Sequence, residues 1–310
     1  MGGEGNPIVS ILVPTWNRVE MTVRAVRSVG SNRDDVEIVV VDNGSTEDLY
    51  SRLAEALTPF GNVRLSRNDR NLGMVRNWNR CIALASGTWM GLLCSDDEYL
   101  PDGIDRVCSL LRTLGEPSLV LQDPGIRSEM ETAVAGSDTV KTLRLPIASG
   151  NFWHREATGA LGGFDERFEY SADAEFWYRI ASRFPVVKVR DPFARYHLHG
   201  ENYMWATWEK NNFLEQTELL ARTVIPYKLG EEARDREKVD RLVDEGLWRT
   251  LTSILLSTFL AKGRTGTFRR YFAVARRKAT TGGRKARLLI TLLLATALRI
   301  RETVAWEKTS

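Results

Sequence analysis

Three short polar segments in the first third of the sequence contain residues that could bind a charged ligand. They are residues 14–18, 42–45 and 95–97, and each follows a run of apolar residues typical of a buried strand. Because ligands of open α/β sheets bind at the carboxyl ends of the strands, these segments are expected to meet in one crevice. The alternative is that Asp42 and Asp96 only cap helices or turns, where aspartate is common.

Asp96 and Asp97 are adjacent carboxylates at the end of the third apolar run. They offer the hard oxygen ligands that Mg²⁺ and Mn²⁺ prefer, and either ion can bridge the oxygens of a diphosphate. A metal there would neutralise the charge that develops on a leaving nucleotide diphosphate. The pair predicts a Mn²⁺ or Mg²⁺ site, although Asp-Asp pairs are also common in solvated turns.

Asp42 has a specific use in nucleotide recognition. An ionised carboxylate only accepts hydrogen bonds, so it suits a base edge that donates them. Uracil and thymine present N3–H, and guanine presents N1–H with its amino group, whereas cytosine and adenine fit poorly. The hypothesis is a site for uridine, thymidine or guanosine nucleotides.

Alternating strand and helix patterns predict an α/β fold with a mostly parallel sheet and right-handed crossovers. Strands are predicted at residues 9–13, 37–41, 63–66 and 89–93, and helices at 18–28, 74–86 and 101–114. Residues 123–149 are polar and predict a long loop. After this loop, the predicted elements are helices at 155–161 and 172–183 and strands at 186–189 and 194–198. Beyond residue 203 the chain is almost entirely helical, so we predict an α/β domain over residues 1–203 and a helical region over residues 204–310.

The composition of the 310-residue chain, 43% hydrophobic and 27% charged, is that of a folded, water-soluble protein. The spacing of Cys81, Cys94 and Cys108 matches neither a disulfide framework nor a metal site, which predicts a reducing compartment. The first residues show no signal-peptide pattern, so a cytoplasmic location is expected.

Basic residues are concentrated near the end of the sequence. Eleven of the 43 lie between Arg264 and Arg301, with no Asp or Glu among them. The rest of the chain is therefore acidic on balance, which argues against nucleic-acid binding by the body of the protein. The basic tail suits an anionic surface instead.

Apolar residues recur at helical spacing within this tail, at Phe268, Tyr271, Phe272 and Ala275. A basic amphipathic helix suits an anionic membrane surface, and we predict peripheral attachment to the inner face of the cell membrane. Residues 288–298 are also apolar but too few to span a bilayer, which takes about 20 residues. The alternative is that these helices pack on the rest of the chain or on a second copy in a homo-oligomer.

Several segments, taken in order, resemble glycosyltransferase family 2 with its GT-A fold, a Rossmann-like nucleotide-binding domain. They are residues 13–18, 40–45, 71–77 and 95–97, followed by 162–166, 173–179 and 197–200. The similarity covers residues 8–203. It implies an enzyme that transfers a sugar from a nucleotide diphosphate donor and inverts its anomeric carbon.

The resemblance implies roles for the matching positions on the donor side. Asp42 would read the base, Arg76 would lie near the phosphates or the ribose, and Asp96 would contact the donor. The other donor-side positions are Pro14, Thr15, Asn17, Arg18, Asn71 and Gly73. Trp153 is included among the substrate-binding residues because its ring could stack on an acceptor sugar, with core packing as the alternative.

The resemblance also implies the metal and catalytic residues. Asp97 would ligate the metal, His199 would lie near the diphosphate or the metal, and Asp173 would be the catalytic base. Because Asp173 stands at a predicted helix start, we expect a lowered pKa that keeps its carboxylate ionised. Two positions depart from the family pattern: Cys94 stands where many members have an Asp, and Ala172 where a Glu is common.

The resulting prediction is an inverting, metal-dependent hexosyltransferase. Its donor is predicted to be a UDP-sugar, with dTDP- or GDP-sugars as alternatives. Its acceptor is predicted to be a saccharide or a lipid-linked sugar in surface polysaccharide or glycolipid synthesis. One alternative is a nucleotidyltransferase, which would release pyrophosphate and would not need Asp173. Another is a non-catalytic binding or scaffold subunit, which Cys94 and Ala172 favour and the retained Asp42 and Asp97 oppose.

Overall fold

The computed structural model describes residues 6–123, 128–142, 148–169, 171–197, 212–260 and 265–278. The chain forms two compact units, one comprising Met1–His199 with Pro226–Glu232 and the other Gly200–Ile225 with Ala233–Ser310. The predicted boundary at residue 203 stays a prediction, because residues 198–211 lie outside the described residues.

Strands and helices alternate through the first part of the first unit. In chain order they are β1 (Val9–Thr15), α1 (Val19–Val29), β2 (Val36–Asp42), α2 (Glu47–Leu57), β3 (Val63–Arg67), α3 (Met74–Leu84) and β4 (Trp89–Leu92). The four strands are parallel and adjacent, in the order β3-β2-β1-β4. Continuous apolar runs suit β1 and β2, because both strands are buried along almost their whole length.

The second part of this unit extends the sheet with shorter elements. They are β5 (Glu98–Tyr99), α4 (Gly103–Thr113), β6 (Leu119–Gln122), β7 (Met130–Ala133), α5 (Ser137–Thr142), β8 (Phe152–His154), α6 (Arg155–Leu161), α7 (Ala172–Ala181), β9 (Val186–Val189) and β10 (Ala194–Arg195). The described strands form an eight-stranded sheet in the order β3-β2-β1-β4-β8-β6-β9-β7, and β10 pairs separately with β5. β8 is antiparallel to β4 and β6, and β7 is antiparallel to β9, so the sheet is mixed beyond β4. The predicted α/β class is confirmed.

The predicted loop over residues 123–149 is wrong, because this region contains β7 and α5. β7 is largely exposed and pairs with β9 at the edge of the sheet, so no apolar alternation marks it in the sequence. β6 and β8 were not predicted either. They are four and three residues long, too short for a clear period.

The parallel strands place the three polar segments at one edge of the sheet. Thr15 at the end of β1 is the register partner of Asp42 at the end of β2. Leu92 at the end of β4 pairs with Leu12 of β1, so the 95–97 segment follows on the other side of β1. This arrangement agrees with the expected convergence.

From residue 212 onward the chain is helical where it is described, and Pro226–Glu232 of this stretch belong to the first unit. After α8 (Phe213–Leu229) and a short 3-10 helix (Gly230–Arg234), the chain forms α9 (Arg236–Leu260) and α10 (Thr265–Lys278). Among the described residues, none of the helices has both the length and the apolar character that crossing a membrane requires.

Part of the apolar face of α10, where the sequence predicted contact with a membrane, is covered within the protein. Tyr271 and Ala275 are buried against Trp248, Leu251 and Leu255. Helix packing was the alternative, and it accounts for the described part of this face. The apolar run at 288–298 lies outside the described residues.

We predict that Gly91→Ala destabilises the fold by about 1–3 kcal/mol, because an added Cβ would overlap the ring of Phe152 in the neighbouring strand β8. Urea unfolding measures this loss. Gly159→Ala is the matched control. This glycine is exposed on α6 with open space around an added Cβ, so the change should stabilise the fold by about 0.5–1 kcal/mol. A Gly91→Ala variant as stable as the wild type would contradict this packing.

Candidate functional site

The carboxylate of Asp42 closes the turn that follows β2. It is 1% exposed, and its oxygens accept hydrogen bonds from the backbone N–H of Ser45 (3.0 Å) and from the Ser45 hydroxyl. Arg67 lies 3.4 Å from the same carboxylate. The Ser45 hydroxyl also accepts the backbone N–H of Asn17 (2.8 Å), which joins the first polar segment to the second. The base-reading role of Asp42 stays a prediction, and the structure adds that both oxygens already accept hydrogen bonds.

An amide network holds the loop before α3 beside the end of β2. The side chain of Asn43 donates to Asn71 Oδ1 (3.0 Å) and to the carbonyl of Gly73 (3.2 Å). Its own oxygen accepts hydrogen bonds from Asn68 Nδ2 and from the backbone N–H of Leu72, both at 3.0 Å. Gly73 has a φ of 88°, which an L side chain rarely adopts. Asn71 and Gly73 therefore shape this loop, and Asn43 and Asn68 are site residues that sequence reasoning missed.

Three potential metal ligands lie together after β4. The ligand atoms of Cys94, Asp96 and Asp97 are all within 4.8 Å of one another. Asp96 Oδ2 accepts a hydrogen bond from Arg18 Nη1 (2.6 Å), which brings the first polar segment to the third. Asp97 Oδ2 accepts one from the Ser149 hydroxyl (2.5 Å), and its Oδ1 accepts one from the backbone N–H of His197 (3.1 Å).

Electrostatics at this cluster favour a bound cation. Burial raises the pKa of Asp97 above its usual range, and the neighbouring Asp96 adds to the effect, while the hydrogen bonds from Ser149 and His197 oppose it. A divalent cation would stabilise both carboxylates, so the residues present fit Mg²⁺ or Mn²⁺. Burial, together with Asp97 and Asp96, also holds the pKa of the Cys94 thiol well above its usual value. His199 lies outside the described residues.

Asp173 is the second residue of α7 and is half-buried. Burial raises the pKa of its carboxyl above the usual value, and hydrogen bonds from the backbone N–H groups of Asp173 and Ala174 reduce this shift without cancelling it. The expectation that the helix start lowers this pKa is therefore wrong. Asp173 also contributes to the raised pKa of the Cys94 thiol, after burial and the nearer Asp97 and Asp96.

The chain is similar to known proteins in sequence and in fold. Residues 10–137 match the family model described as Glycosyl transferase family 2. A PGL/p-HBAD biosynthesis glycosyltransferase of Mycobacterium bovis is 29% identical over 189 residues, which are 59% of this chain and 73% of the relative. The chain carries a glycosyltransferase family 2 domain.

Two solved structures share its fold. TarS 1–349 of S. aureus, in complex with UDP-GlcNAc, aligns with a TM-score of 0.59 and 17% identity, covering 85% of this chain and 79% of TarS 1–349. The mannosyltransferase PcManGT from Pyrobaculum calidifontis, in complex with GDP-Man and Mn²⁺, aligns with a TM-score of 0.54 and 16% identity, covering 95% and 87%. The glycosyltransferase domain therefore has the GT-A fold.

Two side chains that the sequence predicts for the donor side, Arg76 and Thr15, bond to protein neighbours. Arg76 is 61% exposed in its side chain, and its Nε lies 3.0 Å from Glu166 Oε2. The hydroxyl of Thr15 is buried and lies 2.6 Å from that of Thr22 on α1. Contact of Arg76 with donor phosphates would compete with its bond to Glu166.

Pro14 is half-buried, Asn17 is exposed and has a left-handed φ of 55°, and the neighbouring Trp16 is 50% exposed. Trp16 is an aromatic surface beside the site that sequence reasoning did not select. Its position in the first polar segment was the available signal.

Trp153 lies in the core and does not line the crevice. It is 0% exposed, it packs against Phe164, Phe176 and Trp177, and its Nε1 donates to Thr158 Oγ1 (2.7 Å). No face of its ring is open to a sugar, so the predicted stacking role is wrong. Its location on β8, which pairs with β4, explains the burial.

An ion pair fixes the helix that bears Asp173. Glu175, 1% exposed, binds Arg179 through two contacts of 2.8 and 2.9 Å. Arg179 also donates to the carbonyls of Leu161 (2.6 Å) and Gly163 (2.7 Å). The pair holds α7 against the 162–163 turn. Its sequence signal was the i,i+4 spacing of Glu and Arg.

We predict that Asp173→Asn is more stable than the wild type near neutral pH. The folded protein binds the carboxyl proton more tightly than the unfolded chain does, so wild-type stability falls as the pH rises from the usual pKa of 3.8 through the raised folded pKa. The variant lacks this loss, and its advantage should therefore grow with pH and then level off. Urea unfolding between pH 4.5 and 8 measures the difference.

Asp138→Asn is the control for this prediction, because the Asp138 side chain is 95% exposed and its ion pair with Lys141, one helical turn away, lies at the surface. Its difference from the wild type should stay small over the same range. An Asp173→Asn variant that is less stable than the wild type at pH 8 would contradict the assigned direction.

Proposed function

We propose that this chain is an inverting, metal-dependent glycosyltransferase that uses a nucleotide diphosphate sugar. The donor is a UDP-sugar, with dTDP- or GDP-sugars as alternatives. The acceptor is a saccharide or a lipid-linked sugar in surface polysaccharide or glycolipid synthesis. The observation that carries the proposal is the cluster of Cys94, Asp96 and Asp97, which follows β4 at the carboxyl edge of the sheet.

The comparisons support the donor class. TarS 1–349 is in complex with UDP-GlcNAc and PcManGT with GDP-Man and Mn²⁺, and both bases present the N–H donors that a carboxylate at Asp42 would accept. The loop held by Asn43 and the turn closed by Asp42 lie at this end of the sheet, where nucleotides bind in open α/β folds.

Asp97 and Asp96 would hold the metal. When bound, the ion supplies positive charge to the diphosphate leaving group. Arg18 already pairs with Asp96, and Ser149 and His197 bond to Asp97, so both carboxylates are held before any ligand arrives. The Cys94 thiol stays neutral at this site because burial and its acidic neighbours raise its pKa.

Asp173 would act as the general base. The acceptor hydroxyl attacks the anomeric carbon from the face opposite the diphosphate, and Asp173 takes the hydroxyl proton as the new bond forms. Its raised pKa makes it a stronger base than an exposed aspartate. The Glu175–Arg179 pair fixes α7, so the carboxylate is presented at a constant position.

Peripheral membrane attachment is part of the proposal and rests on charge. Arg269, Arg276 and Arg277 are exposed on α10, whereas the buried part of its apolar face is covered by α9. Exposed arginines support electrostatic attachment to an anionic leaflet.

The first test is thermal stabilisation by UDP, dTDP, GDP and CDP, each with and without Mn²⁺. One of the first three, at about 100 times its dissociation constant, should add about 2.7 kcal/mol of stability in the presence of Mn²⁺. Asp97→Ala should abolish the Mn²⁺-dependent part, and EDTA should do the same to the wild type. Stabilisation by CDP alone, or by none of the four, would contradict the donor site.

The second test separates catalysis from binding. Asp173→Asn should lower sugar transfer by about 10²–10⁴-fold, because the hydroxyl loses its base, while nucleotide stabilisation remains. Transfer is followed by release of the nucleoside diphosphate. Full activity in the variant with pyrophosphate as product would favour nucleotidyl transfer, and a wild type that binds but transfers nothing would favour the scaffold alternative.

A further inference from the structure

A buried glutamine, Gln122 at the end of β6, links two distant chain segments. Its Nε2 donates to the carbonyl oxygen of Ser149 (2.8 Å). Its Oε1 accepts the backbone N–H groups of Phe193 (2.6 Å) and Ala194 (3.1 Å). The residue is 5% exposed, so these bonds form away from solvent. One amide therefore fixes the separation between the Ser149 segment and the start of β10.

Each of these segments supplies one hydrogen bond to the carboxylate of Asp97. The Ser149 hydroxyl donates to Oδ2 (2.5 Å) and also accepts the backbone N–H of Cys94 (3.0 Å). On the other side, the backbone N–H of His197 donates to Oδ1 (3.1 Å). Because a carboxylate has about four acceptor positions, these two bonds from the described residues leave one position on each oxygen for a further partner.

Close neighbours restrict where the side-chain amide of Gln122 can lie. Gly150 has a φ of 81°, and an added Cβ there would overlap the Gln122 amide. The backbone N–H of Gln122 itself donates to Asn151 Oδ1 (3.2 Å). β10 is two residues long and pairs with the equally short β5, so the local ladder alone fixes the 193–197 segment weakly. The hydrogen bonds from Phe193 and Ala194 to Gln122 hold this segment in addition to the ladder.

We propose that Gln122 is a positioning residue of the metal site. Acting through Ser149 on one side and the 193–197 segment on the other, it holds the Asp97 carboxylate in the orientation that a divalent cation requires. This inference rests on the proposed function, because it takes Asp97 as a metal ligand. Partners behind a metal ligand typically contribute 10–100-fold to metal affinity, and the Gln122–Ser149 pair is such a partner.

The test measures Mn²⁺ affinity directly, without relying on turnover. Free Mn²⁺ is followed by its electron paramagnetic resonance signal during titration of the full chain in the presence of UDP, and separately of GDP. Gln122→Met, which keeps the length of the side chain but loses its hydrogen bonds, should weaken Mn²⁺ binding about 10-fold or more. Ser149→Ala, a smaller change that removes only the hydroxyl, should weaken it to a similar degree.

A matched control separates positioning from general stability. Asn62 is a half-buried amide with three hydrogen bonds, donated to the carbonyls of Gly30 (3.4 Å) and Val36 (3.1 Å) and accepted from Asn32 N–H (3.1 Å). Asn62→Ala should lower the urea midpoint and leave the Mn²⁺ dissociation constant unchanged. If Gln122→Met and Ser149→Ala lose stability in the same way with unchanged Mn²⁺ affinity, the proposal is overturned.

Two further variants complete the experiment. The Mn²⁺ affinity of the double variant Gln122→Met/Ser149→Ala should be close to that of the single variant with the lower affinity, because both changes act on one carboxylate. Fully additive losses would overturn the coupling. Asp97→Ala should lose Mn²⁺ binding. If Asp97→Ala binds as the wild type does, the proposed metal site fails together with this inference. If only Asp97→Ala loses Mn²⁺, the metal site stands and the role of Gln122 is wrong.

Discussion

Two carboxylates removed from water govern the architecture of this site. Asp42 and Asp97 are each 1% exposed at the carboxyl edge of the sheet, and a buried charge is stable only when hydrogen bonds or opposite charges surround it. The turn after β2 meets this requirement with the Ser45 backbone and hydroxyl, assisted by Arg67. The hydrogen-bond partners of Asp97 are Ser149 and His197, which lie far from it in the sequence. Several elements must therefore come together around this carboxylate.

The two acidic positions after β4 are compensated differently. Asp96 has a full positive charge beside it, since Arg18 binds it at 2.6 Å. Among the described residues, Asp97 accepts hydrogen bonds from a hydroxyl and a backbone N–H, and burial still raises its pKa. The neutral thiol of Cys94 limits the cluster to two carboxylates, which reduces the charge that must be stabilised. The negative charge of Asp97 is therefore the less completely compensated of the two, and a cation would stabilise the site most at this carboxylate.

Sequence patterns predicted the elements whose burial is continuous and failed where burial is local. β1, β2 and β4 have unbroken apolar runs, and their polar ends mark the site. β7 is exposed and β8 is three residues long, so neither leaves a periodic trace. The helix-start argument for Asp173 considered only the favourable N–H groups and omitted burial, which outweighs them. Tyr271 of α10 is buried against α9, and no local sequence pattern reveals which helix covers an apolar face.

The supporting residues were beyond the reach of local patterns for a geometric reason. Ser149 is 52 positions from Asp97, and Gln122 is 71 positions from Phe193, so their contacts depend on the order in which β6, β8 and β4 pair. The short motifs report which carboxylates are present, whereas the orientation of Asp97 is set by side chains outside every motif. Two chains with identical motifs can therefore differ in metal affinity when an amide on β6 differs. The sheet order thus connects sequence positions that have no relation until the chain has folded.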